Sequence, residues 1–157
     1  MTQHNGIFNY FLRRAKILSL KSKDPSTKIG AIIVNPFFNA TISEGYNGFP
    51  RRVSDSAARL TDRPTKYLLT VHAETNAIFN AARVGMKTLG ADIYVSGLPP
   101  CSECSKAIIQ AGINRVISYD IEIPDRWQES INLGRKLFEE AGVEMILIEK
   151  VNEDFVY

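Results

Sequence analysis

The sequence predicts an α/β chain: a three-layer α/β/α sandwich in which a central mixed sheet of about five strands carries helices on both faces. Three observations predict it. Ile29–Val34 is a short, nearly all-apolar run, the pattern of a strand buried on both faces. The second half alternates short apolar runs with stretches of helical spacing, an order that favours parallel strands joined by crossover helices. With 157 residues and 45% hydrophobic content, the chain is long enough for one domain with a real core and hardly for two, so 1–157 reads as a single domain.

The elements follow in order. Residues 7–20 place apolar groups at helical spacing with Arg13, Arg14 and Lys16 between them, which makes an amphipathic first helix. Lys23-Asp24-Pro25-Ser26 is turn chemistry and ends it. The strand Ile29–Val34 stops at Asn35-Pro36, and Thr41–Gly45 resumes as its neighbour. Tyr46 to about Arg63 is the least regular segment, opening with the turn Asn47-Gly48-Phe49-Pro50. Arg51, Arg52, Arg59 and Arg63 form a positive cluster there that Asp55 and Asp62 only partly offset; it reads either as a solvated surface loop or as a phosphate-contacting one. Ala73–Val84 is helical, with Ala77, Ile78, Ala81 and Ala82 on one side and Gly85 as its stop. Ala91–Ser96 alternates as a strand, and Cys101–Ala111 returns to helix with Gly112 past its end. Arg115–Tyr119 is another strand, Ser130–Ala141 another helix and Val143–Ile148 a last strand.

A net charge of +2 does not announce a polyanion, and no nucleic-acid partner is expected. Two cysteines spaced as C-x-x-C do not make a secreted disulfide framework, so a reducing compartment is expected. No apolar run approaches the roughly 20 residues of a membrane span, and residues 1–6 are too polar for a signal peptide. The expectation is a soluble, cytoplasmic protein without membrane contact.

The chemistry concentrates between Val71 and Cys104. Of the 2 Cys and 2 His in the chain, this stretch holds both cysteines and His72; the other histidine, His4, lies in a polar N-terminal segment without chemical companions. His72, Cys101 and Cys104 suit a borderline-soft, tetrahedral ion such as zinc, and three protein ligands leave the fourth position open, as in catalytic sites. Cys101 and Cys104 share a face if they open the helix after Pro100, where the positive helix end also favours thiolates. In a regular helix His72 and Glu74 point about 200° apart, from a step of about 100° per residue. They converge on one site only if His72 sits at or before the helix cap. Two thiolates and one imidazole cancel the charge of the ion and weaken it as an acid, so Glu74 is needed as the base for water and next as the acid for a ring nitrogen or leaving amine. That combination suits hydrolytic removal of an amino group from a heteroaromatic ring.

Two other readings compete. A C-x-x-C in a cytosolic α/β protein also fits a thioredoxin-like dithiol. A zinc-binding interaction module without catalysis is the third possibility, and Glu74 argues against it, because a purely structural site has no use for that carboxylate.

At these residues the sequence resembles the zinc-dependent cytidine/deoxycytidylate deaminase superfamily, whose signature is H-x-E…P-C-x-x-C. The likeness extends to Ser22–Gly30, Gly45–Pro50, His72–Ile78 and Ile108–Ile113, covering roughly residues 7–148, and Tyr46-Asn47-Gly48-Phe49-Pro50 is most particular to the deoxycytidylate (dCMP) branch. The resemblance implies a cytidine-deaminase-like fold and hydrolysis of dCMP to dUMP and ammonia, with Zn2+ held by His72, Cys101 and Cys104 and protons shuttled by Glu74. It implies that the Ala73 amide meets the pyrimidine carbonyl, that Asn47 contacts the sugar, and that Ser26 is a further substrate contact. It also implies a homo-oligomer, commonly a hexamer, with dCTP and dTTP as effectors. The chain departs from the family pattern at Pro99, where an aromatic residue is usual, and at Arg51-Arg52, where a glycine is usual. Where the family places a tyrosine against the substrate, this chain has Trp127, which either walls the nucleotide, with Arg126 reaching its phosphate, or anchors the last helix in the core. A related zinc deaminase acting on a free nucleoside, a modified cytosine nucleotide, a guanine-like base or adenosine in tRNA is the alternative; the acidic, aromatic end 151–157 argues against the tRNA version.

Overall fold

The computed structural model describes residues 3–150, with side chains from Gly6 onward; His4 and the segment 151–157 lie outside the described side chains. The order is α1 (Gln3–Ser19), β1 (Gly30–Asn35), β2 (Ala40–Tyr46), α2 (Ala57–Thr61), α3 (Arg63–Leu69), α4 (Ala73–Arg83), β3 (Asp92–Val95), α5 (Ser102–Gln110), β4 (Arg115–Asp120), α6 (Asp125–Ala141) and β5 (Glu144–Glu149). The five strands form one mixed sheet in the order β2-β1-β3-β4-β5. β1 runs antiparallel to both of its neighbours, and β3, β4 and β5 are parallel. Between Ile33 and Val34 the register with β2 shifts, from Ile33 opposite Ser43 to Val34 opposite Thr41, so Ile42 is an extra residue in the outer strand.

The alternation of side chains along a strand sorts the core into two layers. Ile32, Val34, Tyr94 and Ile117 face α1 and pack on its Phe8, Phe11, Leu12, Ala15 and Leu18. Ala31, Ile33, Ile93, Val95 and Val116 face the other way, onto Ala73 and Ala77 of α4, Ile108 of α5 and Phe138 of α6. Both crossovers, β3-α5-β4 and β4-α6-β5, therefore land on the face opposite α1, as crossovers of a single hand must. No helix among the described residues is long and apolar enough to cross a membrane.

Two glycines set how closely the layers approach. A Cβ on Gly45 would lie 2.3 Å from the Ala77 nitrogen and 2.6 Å from the Ala73 carbonyl oxygen, so only glycine lets α4 settle on β2. A Cβ on Gly134 would lie 2.5 Å from the Ser105 hydroxyl and 3.1 Å from the Pro100 carbonyl oxygen, so α6 lies directly against the start of α5. These contacts place the first turns of α4, α5 and α6 around one cavity.

Two expectations are corrected. The stretch read as irregular, Tyr46 to about Arg63, contains α2 and runs into α3, which starts where the Asp62 carboxylate accepts the Thr65 N–H at 3.2 Å and Pro64 occupies the first turn. The last helix begins at Asp125 rather than Ser130, so Arg126 and Trp127 belong to its first turn.

Candidate active site

His72 is the N-cap of α4, with extended backbone at φ −70° and ψ 156°, and Glu74 is the second residue of that helix. The extended cap resolves the angular problem posed by H-x-E: only Glu74 follows the helical path, so both side chains reach the same side. Cys101 is likewise the N-cap of α5, at φ −70° and ψ 170°, and Cys104 lies in the first turn. Two helix starts that are far apart in sequence thus meet. His72 Nδ1 lies 3.4 Å from Cys101 Sγ and 3.4 Å from Cys104 Sγ.

A tetrahedral zinc with bonds of about 2.0–2.1 Å to nitrogen and 2.3 Å to sulfur would separate those atoms by about 3.6 Å. The three donor atoms all lie within 4.8 Å of one another, so the side chains need only a slight adjustment to hold the ion, and one imidazole with two thiolates is a zinc donor set. Thr75 approaches Cys104 Sγ at 3.7 Å and can donate its hydroxyl to that sulfur from outside the donor set.

The electrostatics are those of a compact proton-sharing cluster. Hydrogen bonding from Cys104 first, and from His72 after the opposing effect of burial, carries Cys101 down to about 4. Cys104, as the donor in that bond and buried, is pushed far above the ordinary thiol range. The bond to Cys101 raises His72 to about 9 against the downward pull of burial, with Glu74 and Cys101 adding attraction. His72, Cys101 and Cys104 would hold a divalent cation with both sulfurs as thiolates, in place of the protons they share. Glu74 is almost wholly buried, at 4% exposure. Burial pushes its carboxyl above the ordinary value while the neighbouring His72 opposes the rise.

One cavity opens onto these groups, lined by Asn47, Ala73, Trp127 and Tyr67 among others, together with His72, Glu74 and Cys101. Ala73 is the first residue of α4, where N–H groups have no intrahelical partner. Asn47 is buried, and its amide ties two loops: Oδ1 accepts the Ile29 N–H at 2.8 Å and Nδ2 donates to the Thr27 carbonyl at 2.9 Å. Trp127 lies on the cavity wall rather than in the core, edge-on to His72 at 6.5 Å and to Tyr67 at 6.3 Å between ring centroids. Arg126, its neighbour on α6, is exposed and does not line the cavity, because the helical step turns it away from Trp127. Ser26 does not line it either; its hydroxyl donates to Asp24 Oδ1 at 2.9 Å and accepts from Lys66.

Several site residues were not singled out in the sequence. Tyr67 and Thr70 come from α3 and its cap, Leu98 from the loop before α5, and Ile131 from α6; Pro99, already marked in the sequence as a departure from the family pattern, lines the cavity beside them. Asp62-Arg63-Pro64, a capping residue ahead of a proline, was the signal that could have announced α3. Ser130 bonds the start of α5 from α6: its hydroxyl accepts the Ser102 N–H at 3.1 Å and meets the Ser102 hydroxyl at 3.0 Å. Nothing in the local sequence announces that pair.

Comparison with known proteins bears on the same residues. The family model described as cytidine and deoxycytidylate deaminase zinc-binding region matches residues 7–120. A protein of Aliivibrio fischeri named as an uncharacterized deaminase is 42% identical over 137 residues, covering 86% of this chain and 88% of that one. The deoxycytidylate deaminase of Mus musculus is 42% identical over 141 residues, covering 85% of this chain and 75% of its own. Among solved structures, dCMP deaminase from the cyanophage S-TIM5 in complex with dCMP and dUMP matches with a TM-score of 0.72 at 25% identity, over 94% of this chain and 99% of that one.

Proposed function

The chain belongs to the cytidine and deoxycytidylate deaminase zinc-binding family, and from that premise we propose that, as a single domain, it hydrolyses dCMP to dUMP and ammonia. The observation that carries the reading is Glu74, a buried carboxyl with a raised pKa beside three side chains that fit zinc. Zinc held by His72, Cys101 and Cys104 supplies the acidity that makes water a nucleophile at neutral pH. Glu74 then takes a proton from the water that attacks C4 of the cytosine ring, gives it to the ring nitrogen and carries the next to the leaving amine. Its displaced pKa suits a group that must both accept and release a proton. The Ala73 N–H, at the positive end of α4, is the donor for the pyrimidine carbonyl. Thr75 keeps Cys104 oriented, and Trp127 closes the cavity beside His72.

The substrate class is a nucleotide, and the finer assignments are read the same way. Asn47 contacts the sugar through the donor and acceptor capacity that its two loop bonds leave over. Ser26 acts through Asp24 and Lys66 rather than by touching substrate, and Arg126 reaches the phosphate only if its exposed side chain swings over the cavity mouth. The protein assembles with copies of itself: Phe37, Phe38, Leu68 and Leu89, at 83%, 72%, 86% and 82% exposure, are the apolar groups that such contacts would cover. A dCTP or dTTP effector would bind near Arg51 and Arg52, where Arg51 bonds Asn80 and Arg52 holds the left-handed backbone at φ 67°. Reducing, cytoplasmic conditions suit the two free cysteines.

Ammonia release from dCMP, CMP, dCTP, deoxycytidine, guanine and a 5-substituted dCMP tests the reading, with sizing by light scattering with and without dCTP. Turnover of dCMP above the rest supports it. A zinc-loaded protein that turns over none of them overturns it in favour of an interaction module. One observation favours a second reading, a ring-modified cytosine nucleotide: Pro99 and Trp127 line the cavity where the resembling family carries other residues. Preference for the 5-substituted substrate would establish that reading instead.

A further inference from the structure

Asp24 lies beside the catalytic groups but outside the chemistry described so far. It lines the same cavity as His72 and Glu74, and its side chain is 8% exposed. Every hydrogen bond to its carboxylate lands on one oxygen: Oδ1 accepts from the Ser26 N–H at 2.8 Å, the Ser26 hydroxyl at 2.9 Å, the Thr27 N–H at 3.0 Å and Lys66 Nζ at 2.9 Å. Oδ2 accepts none among the described residues. It is not sealed in, because Arg135 Nε is the one fully buried side-chain polar atom without a partner among those residues. The open space that Asp24 borders is the cavity.

A carboxylate oxygen that is fixed, charged and unpartnered at a binding cavity is an acceptor awaiting a donor. The fixing is unusually complete. Lys66, at 7% side-chain exposure, holds Oδ1 from α3, and two N–H groups of the Asp24–Thr27 turn hold it from below. Burial alone would raise this carboxyl; the bonds from Ser26, Lys66 and Thr27 outweigh it and bring it below the ordinary value, so it stays ionised. Asn47, another polar group of the cavity lining, already spends one acceptor and one donor on backbone partners. In a deoxynucleoside monophosphate the 5′ oxygen carries the phosphate and the 2′ position has no hydroxyl, so the sugar has one O–H to offer, at C3′.

Resting on the dCMP reading, we infer that Asp24 Oδ2 is the acceptor for the 3′-hydroxyl of the substrate sugar, with Lys66 as the residue that positions it. Asp24 is then a specificity-determining residue: it demands a hydrogen-bond donor at C3′ and repels a group that can only accept.

The unmodified enzyme tests this with dCMP, 2′,3′-dideoxy-CMP and 3′-fluoro-2′,3′-dideoxy-CMP, read as kcat/KM. Loss of a bond to a charged acceptor is expected to lower the dideoxy substrate roughly 10- to 100-fold. The fluoro substrate should fall lower still, because fluorine faces a carboxylate without a proton between them. In Asp24→Asn the spread among the three should collapse, and Lys66→Met should lower dCMP more than the dideoxy substrate. A dideoxy substrate used as well as dCMP, or a fluoro substrate better than the dideoxy one, overturns the assignment even if no variant folds. An Asp24→Asn enzyme that keeps the full spread does so too. If dCMP itself is not turned over, the function reading and this inference fall together; if dCMP is turned over and the spread is absent, only this inference falls.

Discussion

Glu74→Gln keeps the size of the side chain and removes its proton chemistry. Turnover is expected to fall by at least about 10²- to 10⁴-fold while zinc content, measured by elemental analysis, stays that of the parent. The raised carboxyl also fixes the acid limb of the rate: kcat/KM should begin to fall at a pH above the ordinary glutamate range, because Glu74 protonates early. Asp24 has the opposite sign. Its folded pKa is depressed, so its contribution to stability is fully present above about pH 4, the unfolded value, and is lost as pH falls through the folded one. Urea midpoints between about pH 5 and pH 2 should drop in the parent and change less in Asp24→Asn, which begins lower by about 3–5 kcal/mol because it leaves Lys66 buried beside a neutral partner. The residues whose chemistry is local were legible: H-x-E and P-C-x-x-C announce by type the three metal donors that the fold brings together, and the angular argument alone put His72 at a cap. Asn47 entered only through the family resemblance, as a sugar contact; its role as a tether was not legible, since its two backbone partners lie at Thr27 and Ile29 and only the folded chain brings them near.

At the scale of elements, α6 is held to α5 by Gly134 and by the Ser102–Ser130 pair, and it carries Trp127 one turn before Ser130. Gly134→Ala would thrust a methyl group against the Ser105 hydroxyl and the Pro100 carbonyl. The expected cost is about 1–3 kcal/mol in thermal or chemical denaturation, with a raised KM as the Trp127 wall shifts. The elements that escaped the sequence share a physical cause. On α3 the buried residue is Lys66, at 6% exposure, while Leu68 is 86% exposed, so its hydrophobic pattern is inverted and periodicity cannot find it. The first turn of α6, Asp125 to Gln128, faces solvent and the cavity rather than the core and lacks the apolar stripe that marks the rest of the helix. β1 was legible because both of its faces are buried and a nearly continuous apolar run follows from that; β3 is buried throughout as well, but Asp92 interrupts its apolar stretch, so it was read from alternation.

Across the whole molecule, the metal ligands join the start of α4 to the start of α5, with β3 between them in sequence. An ion bound only by the folded arrangement stabilises it by linkage, so removing zinc with a chelator should lower the melting temperature, and restoring the ion should raise it in proportion to the logarithm of its free concentration. The parallel half of the sheet was legible from the alternation of strand and helix, whereas the antiparallel placement of β1 between β2 and β3 depends on which edges meet, and that is long-range information. The extra residue at Ile42 has a consequence for how chains meet one another. β2 is an outer strand, and an outer strand with regular spacing offers unpaired N–H and C=O groups to any other chain that can extend the sheet. The bulge interrupts that spacing and twists the edge, so growth of the sheet from molecule to molecule, strand added to strand as in a fibre, is discouraged.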